Sequence, residues 1–244
     1  MEFLTSEPAV VEHKTLIIAD LHIGIEHEFY RDGINVPSQT GKMAERIEKL
    51  IKQTGVERLV IIGDVKHKVP GISWQEEKEV PKFFERLSGL VRVEVVPGNH
   101  DGNLKDLAPG VKIHKSSGFL LKNMYMSHGH TWPEPEFLKS DYILIGHEHP
   151  VFEFKCGLGY RWLEPVWLRV KLDKSRLGRK YKNVRKVPEL IAVPAFNPFL
   201  GGIAVNRSQK EELLGPLIKC TDMKRAKVYL LDGTFLGELG KLRN

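Results

Sequence analysis

Cysteine is nearly absent: Cys156 and Cys220 are the only two in 244 residues. They share no metal-site spacing. That excludes a disulfide framework and an all-thiolate zinc site, leaving two idle thiols or, as the lesser reading, one disulfide. Long hydrophobic runs are missing as well. Stretches such as Leu59-Val60-Ile61-Ile62 fall far short of the roughly 20 residues that a membrane-crossing helix takes. The opening Met1-Glu2-Phe3-Leu4-Thr5-Ser6-Glu7-Pro8 has no basic start followed by an apolar stretch, so no signal peptide is read and a cytoplasmic protein without membrane contact is expected. Internal repeats and low-complexity tracts are not found. Gln is sparse beside abundant Lys, Arg and Glu, a weak tilt towards a thermophilic source.

What is present is an ordinary globular composition, 41% hydrophobic and 28% charged. This argues against disorder, and the length suits one domain over 1–244 with one sizeable core. The formal charge of +6 fits a polyanionic partner without requiring one.

Two periodicities alternate in the first half. Leu16-Ile17-Ile18-Ala19 reads as a strand buried on both faces. The spacing of Met43, Ile47, Leu50 and Ile51 predicts a helix over 36–54, closed by Gly55. Leu59-Val60-Ile61-Ile62 is a second strand. A second helix carries Val80, Phe83, Phe84 and Leu87 on one face, with Ser73 and Glu76 at capping-box spacing. Pro81 predicts a kink or a later start. A third strand spans 91–96. The second half is richer in strands: 118–121 and 124–126 around Asn123, then 142–145, 151–155, 166–172, 190–193, and a hairpin of 228–231 and 235–239 around Asp232-Gly233. The alternation argues for an α/β layered fold.

Between two of those strands Arg169, Lys171, Lys174, Arg176, Arg179, Lys180, Lys182, Arg185 and Lys186 crowd together. An exposed β-hairpin or loop insertion is expected near 169–187. It is either a solvated charged turn or an arm that tracks the phosphates of a nucleic acid.

The chemistry sits at the strand exits. The first strand ends in Asp20-Leu21-His22, the second in Gly63-Asp64, and the third leads to Pro97-Gly98-Asn99-His100-Asp101. Later strands lead to Ser127-His128-Gly129-His130 and Gly146-His147-Glu148-His149. In layered α/β folds the ligand crevice lies beyond the carboxyl ends of the strands. A lone Asp-x-His or His-x-His says little. Seven metal-capable side chains at one kind of place say more. Carboxylate, imidazole and amide without thiolate suit Mn first, with Fe, Zn, Co or Ni as alternatives. Seven ligands are too many for one tetrahedral ion and suit two divalent ions that share a carboxylate, which together clamp a phosphate and supply a hydroxide nucleophile.

At these residues the chain resembles the calcineurin-like metallophosphoesterase superfamily, whose motifs D-x-H, G-D, G-N-H-D/E, a lone H and G-H-x-H occur here in order from Asp20 to His149. The resemblance implies a four-layer αββα sandwich with two mixed sheets. It implies one metal on Asp20, His22 and His149, another on Asn99, His128 and His147, and Asp64 between them. It also implies a substrate-contacting, proton-donating His100 whose ring is oriented by Asp101. Asp20-Leu21-His22-Ile23-Gly24, His67 three residues past Asp64, and Pro194-Ala195-Phe196-Asn197-Pro198 resemble small SbcD-related archaeal phosphoesterases. Full nucleases of the SbcD type carry a capping domain for which this chain has little room after His149.

His67 is read as a phosphate-contacting residue, and His130 as a support for the metal ligands. Trp162 and Trp167 are read as core packing rather than base-stacking platforms. Asn197 either lines the cleft or shapes its turn. The function expected is metal-dependent hydrolysis of phosphodiesters, extending to nuclease action on single-stranded or short nucleic acid. The alternatives are a phosphomonoesterase or nucleotide phosphatase, and a weakly catalytic nucleic-acid-binding module.

Overall fold

All of Leu16-Ile17-Ile18-Ala19 is buried because its strand has apolar neighbours on both sides. Leu16 and Ile18 face a helical layer, while Ile17 and Ala19 face a second sheet. The same alternation divides Leu59 and Ile61 from Val60 and Ile62. A period-2 backbone with both faces covered needs apolar residues at every position, hence the continuous runs.

The computed structural model describes residues 1–207 and 215–242. Among them the first sheet holds β1 (Glu2–Phe3), β2 (Val10–Glu12), β3 (Thr15–Ala19), β4 (Arg58–Ile62), β5 (Arg92–Val96) and β6 (Lys112–Ile113) in that spatial order. β3 to β6 run parallel and β1 and β2 add antiparallel. The second sheet holds β7 (Phe119–Leu121), β8 (Met124–Ser127), β9 (Tyr142–Ile145), β10 (Pro150–Lys155), β11 (Arg161–Lys171), β12 (Glu189–Ala192), β13 (Ile203–Ala204), β14 (Lys227–Leu230) and β15 (Phe235–Glu238). Its path is β13-β10-β11-β12-β9-β8-β7, with β14 and β15 hung on β11. Both sheets are mixed.

The helices are α1 (Glu26–Arg31), α2 (Thr40–Thr54), α3 (Trp74–Ser88), α4 (Leu104–Leu107) and α5 (Lys174–Leu177). Met43, Ile47 and Leu50 of α2 and Val80, Phe83, Phe84 and Leu87 of α3 cover the outer face of the first sheet. Each fully buried side chain of this size contributes about 1.5–3 kcal/mol. The far face of the second sheet is covered by α5, single 3₁₀ turns and loops, with Phe137, Leu177, Tyr181 and Ile218 packed inward. The layers therefore run helix, sheet, sheet, helix and loop. No helix among the described residues is long and apolar enough to cross a membrane.

Some boundaries differ from expectation. α2 begins at Thr40, not at 36, because a residue before proline is kept out of the α region and Val36 precedes Pro37. Ser38 Oγ then accepts from the Thr40 N–H. α3 has both halves of the Ser73–Glu76 capping box and continues past Pro81 to Ser88. β11 starts at Arg161, because 161–165 pair with β10. Cys156 and Cys220 are free. Trp167 is buried edge-on to Phe3, whereas Trp162 is exposed and stacks on Phe154.

The basic stretch is not a hairpin. It leaves β11, makes the one-turn α5 and continues as loop, with Leu177, Tyr181 and Val184 buried in the second core. The Tyr181 hydroxyl donates to Pro133 O at 2.7 Å, holding the segment against the loop that follows His130. Its cations part company there: Arg169 pairs with Glu189 and Lys186 with Asp141.

Candidate metal centre

Five strand ends from two sheets meet at one point, and the backbone there is bent into an uncommon conformation. Asp20, His22, Asp64, His147 and His149 all have positive φ, between 39° and 69°. Such left-handed backbone is unfavourable for residues with a Cβ and persists only where surrounding structure enforces it. The enforcing contacts are visible. The His22 N–H donates to Asp64 O at 2.8 Å and the Phe196 N–H to Ala19 O at 2.9 Å. The His147 N–H donates to Asp20 Oδ2 at 3.1 Å, tying the second sheet to the first.

Two glycines make the close approach feasible. A Cβ on Gly98 would lie 2.1 Å from Asp64 Oδ1, and one on Gly63 would lie 2.2 Å from the His128 ring. Side-chain-bearing residues would push the carboxylate or the imidazole out of place.

The side chains form two groups that share Asp64. In each, the potential ligand atoms lie within 4.8 Å of one another: Asp20, His22, Asp64 and His149 in one, Asp64, His128 and His147 in the other. Asn99, exposed, stands between Gly98 and His100, whose N–H donates to Asp64 Oδ1 at 2.9 Å. His22 Nε2 lies 3.4 Å from Asp64 Oδ2 and His149 Nε2 lies 3.5 Å from Asp20 Oδ1. Neither of these buried nitrogens makes a hydrogen bond. Buried polar atoms are normally partnered, and a divalent ion would satisfy both nitrogens. The donor set, imidazole and carboxylate without thiol, fits such ions.

Charge is balanced internally. Burial alone would raise the Asp20 and Asp64 carboxylates, but the neighbouring imidazoles hold both well below the usual range, His149 and His128 around Asp20 and His128 and His22 around Asp64. Burial disfavours the His128 cation, yet its contacts with Asp20 and Asp64 outweigh that and push it up to about 10. His149 is raised through Asp20 against the effect of burial. Burial lowers His22. Burial and the charge of His128 lower His130 and His147 to about 4.

A third group, His22, His67 and His100, adjoins the first. His67 Nδ1 lies 3.0 Å from His22 Nδ1, its Nε2 lies 3.0 Å from Glu28 Oε1, and its ring stacks with His100. His100 Nδ1 bonds to the carbonyl of His67. A carbonyl only accepts, so Nδ1 carries the hydrogen and Nε2 is left for a substrate. His130 touches His128 ring to ring, Nδ1 to Nδ1 at 2.9 Å.

One sequence expectation is corrected. Asp101 does not orient His100. Its buried carboxylate accepts from the N–H groups of Val65, Lys66 and Gly98 at 2.8, 3.2 and 2.8 Å, joining the Asp64 loop to the Gly98 turn. Burial raises its pKa to about 6. His100 takes its orientation from His67 O instead, because the turn at 98–101 points the Asp101 side chain back under Asp64. Asn197 is buried and shapes structure: its amide donates to Leu21 O at 2.8 Å and its oxygen accepts from the Phe199 N–H.

Three residues were missed. Glu76 caps α3 and also accepts from the N–H groups of His67 and Lys68. Lys66, almost fully buried, donates to the carbonyls of Lys68 and Gly71. Glu28 meets His67. The capping-box spacing announced Glu76 as a cap, but nothing in the sequence announced its second duty.

Comparison with known proteins agrees with this geometry. The sequence model of the family described as calcineurin-like phosphoesterase matches residues 13–165. Phosphodiesterase YfcE of Escherichia coli is 32% identical over 117 residues, a stretch that spans 45% of this chain and 64% of that relative. The crystal structure of Pseudomonas putida nuclease MPE shares the fold with a TM-score of 0.53 at 20% identity, over 90% of this chain and 85% of that one.

Proposed function

Because the chain belongs to the calcineurin-like phosphoesterase family, we propose that it is a metal-dependent phosphodiesterase that extends to nuclease action on single-stranded or short nucleic acid. The observation that carries this reading is the pair of ligand groups sharing Asp64, with two orphaned histidine nitrogens aimed into the first. Asp20, His22 and His149 would hold one divalent ion and Asn99, His128 and His147 another, with Asp64 serving both. Mn is the first candidate, and Fe, Zn, Co or Ni also suit the donors. When bound, such a pair supplies Lewis acidity and an acidified water.

The chain's own residues do the rest. His100, hydrogen-bonded through Nδ1 to His67 O, holds a proton at Nε2 and delivers it to the leaving oxygen. His67, whose Nε2 pairs with Glu28, contacts a phosphate oxygen when protonated. Asp101 keeps Asp64 and the Gly98 turn in register. The names of YfcE and of nuclease MPE, a phosphodiesterase and a nuclease, support a diester substrate. Asp20-Leu21-His22-Ile23-Gly24 and His67 support an SbcD-related affiliation.

The test is hydrolysis by metal-stripped protein reloaded with Mn²⁺. Turnover of bis-p-nitrophenyl phosphate above that of p-nitrophenyl phosphate is expected. Strong monoester hydrolysis with no diester turnover would replace this reading with a phosphatase.

A further inference from the structure

A depression of about 950 Å³ opens beside His130, walled by Trp132, Arg176, Arg179, Lys180 and Lys219. Its size is at the upper end of ligand pockets, roughly 300–1,000 Å³. Among the described residues four cations line it and no carboxylate does. It adjoins the metal centre, since His130 Nδ1 is 2.9 Å from His128 Nδ1 and its ring is 6.1 Å from that of His147.

The wall is held in place. The Arg176 guanidinium donates to Lys219 O and Thr221 O at 3.2 and 2.5 Å, so α5 and the segment carrying Lys219 are joined. The Gly215 N–H donates to Glu148 Oε1 at 2.8 Å, which anchors that segment to the loop between His147 and His149. Tyr181 fixes the other side through Pro133 O. Lys180 Nζ lies 5.7 Å from the centre of the Trp132 ring. Arg179, Lys180 and Lys219 are exposed.

We propose that this cleft is a substrate-binding extension of the metal centre, in which a single-stranded oligonucleotide lays the phosphates flanking the scissile bond on Arg176, Arg179, Lys180 and Lys219. Several cations beside one aromatic ring suit a strand whose backbone is tracked and whose bases are not read. A small diester reaches the metal centre without touching these side chains, so the cleft selects for polymer. The proposal deepens the phosphodiesterase reading and rests on it, but its first readout is binding without metal.

Fluorescence anisotropy of a labelled oligothymidylate of about ten nucleotides, titrated into metal-free protein at several salt concentrations, measures the contact. Four neutralised phosphates give a slope of log K against log salt of about −2.8, and the Arg179→Ala, Lys219→Ala double variant makes it shallower by about 1.4. Binding near 0.1 M salt should fall roughly 10- to 25-fold. In Mn²⁺-loaded protein the same variant should lose kcat/KM on the oligonucleotide, through KM, about 10-fold more than on bis-p-nitrophenyl phosphate. Lys49→Ala, Lys52→Ala on the exposed face of α2 makes the same change in net charge and should leave both readouts as in wild type. Unchanged binding in the cleft variant, or an equal loss in the α2 variant, overturns the proposal. Failure of wild type to hydrolyse any diester overturns the phosphodiesterase reading, while the anisotropy result still decides whether the cleft holds the strand.

Discussion

His128 Nε2 lies 3.1 Å from Asp20 Oδ1 and 3.4 Å from Asp64 Oδ2, so one imidazole joins both ligand groups. Without an ion, a proton on this ring neutralises buried carboxylate charge. Its pKa is about 10 in the folded chain against 6.5 as the ordinary value.

The first prediction follows from that proton. A raised folded pKa contributes stability that is fully present below about 6.5 and is lost as pH rises through about 10. Metal-free protein should therefore lose thermal stability between about pH 7 and 10.5, while metal-loaded protein should not lose this contribution. Loading should release about one proton near neutral pH. Calorimetry in buffers of different ionisation enthalpy measures it, and zero release would contradict a protonated His128.

Asp64→Asn removes the carboxylate common to both groups. Metal content should fall from about two ions to below one, with diester turnover down by about 10³ or more. Elemental analysis of the purified variant checks this. Retention of one full ion would mean that Asp64 serves a single position.

His100→Ala should keep its metals and lose turnover by about 10²–10⁴ on substrates with poor leaving groups. p-Nitrophenolate departs without a proton, so bis-p-nitrophenyl phosphate should be affected much less. Equal losses on both would remove the acid role.

Gly98→Ala puts a methyl group 2.1 Å from Asp64 Oδ1. The variant should fold, because Gly98 is half-buried and outside the hydrophobic cores, but bind metal at least about 10-fold more weakly. Titration with Mn²⁺ decides it.

Glu76→Ala deprives Ser73 and Lys68 of the acceptor for their N–H groups and leaves the His67 N–H with Ile23 O alone. A lost cap costs about 1 kcal/mol, and the other N–H groups that lose a charged acceptor add more. About 3 kcal/mol in urea unfolding is expected, with lower turnover because His67 and His100 lean on that backbone.

The strands and their exits were legible because local pattern decides them. A buried parallel strand must be apolar throughout, and Asp20, Asp64 and His147 stand where such runs stop. The start of α2 was misplaced because hydrophobic spacing says nothing about Pro37. Asp101 was misassigned because its partners, Val65 and Lys66, are brought near by a turn whose direction no short pattern encodes. Glu28 and Lys66 were invisible for the same reason. The charged stretch was expected as an exposed hairpin or loop because Leu177, Tyr181 and Val184 are spaced too irregularly to announce a docked face.

Asp20, His22, Asp64 and Asn99 follow strands of the first sheet, whereas His128, His147 and His149 follow strands of the second. Ions held by the proposed ligands would thus be a rivet through two plates. Residues up to β6 can complete their plate during synthesis and still lack His128, His147 and His149. Metal affinity would then report how firmly the plates are clamped.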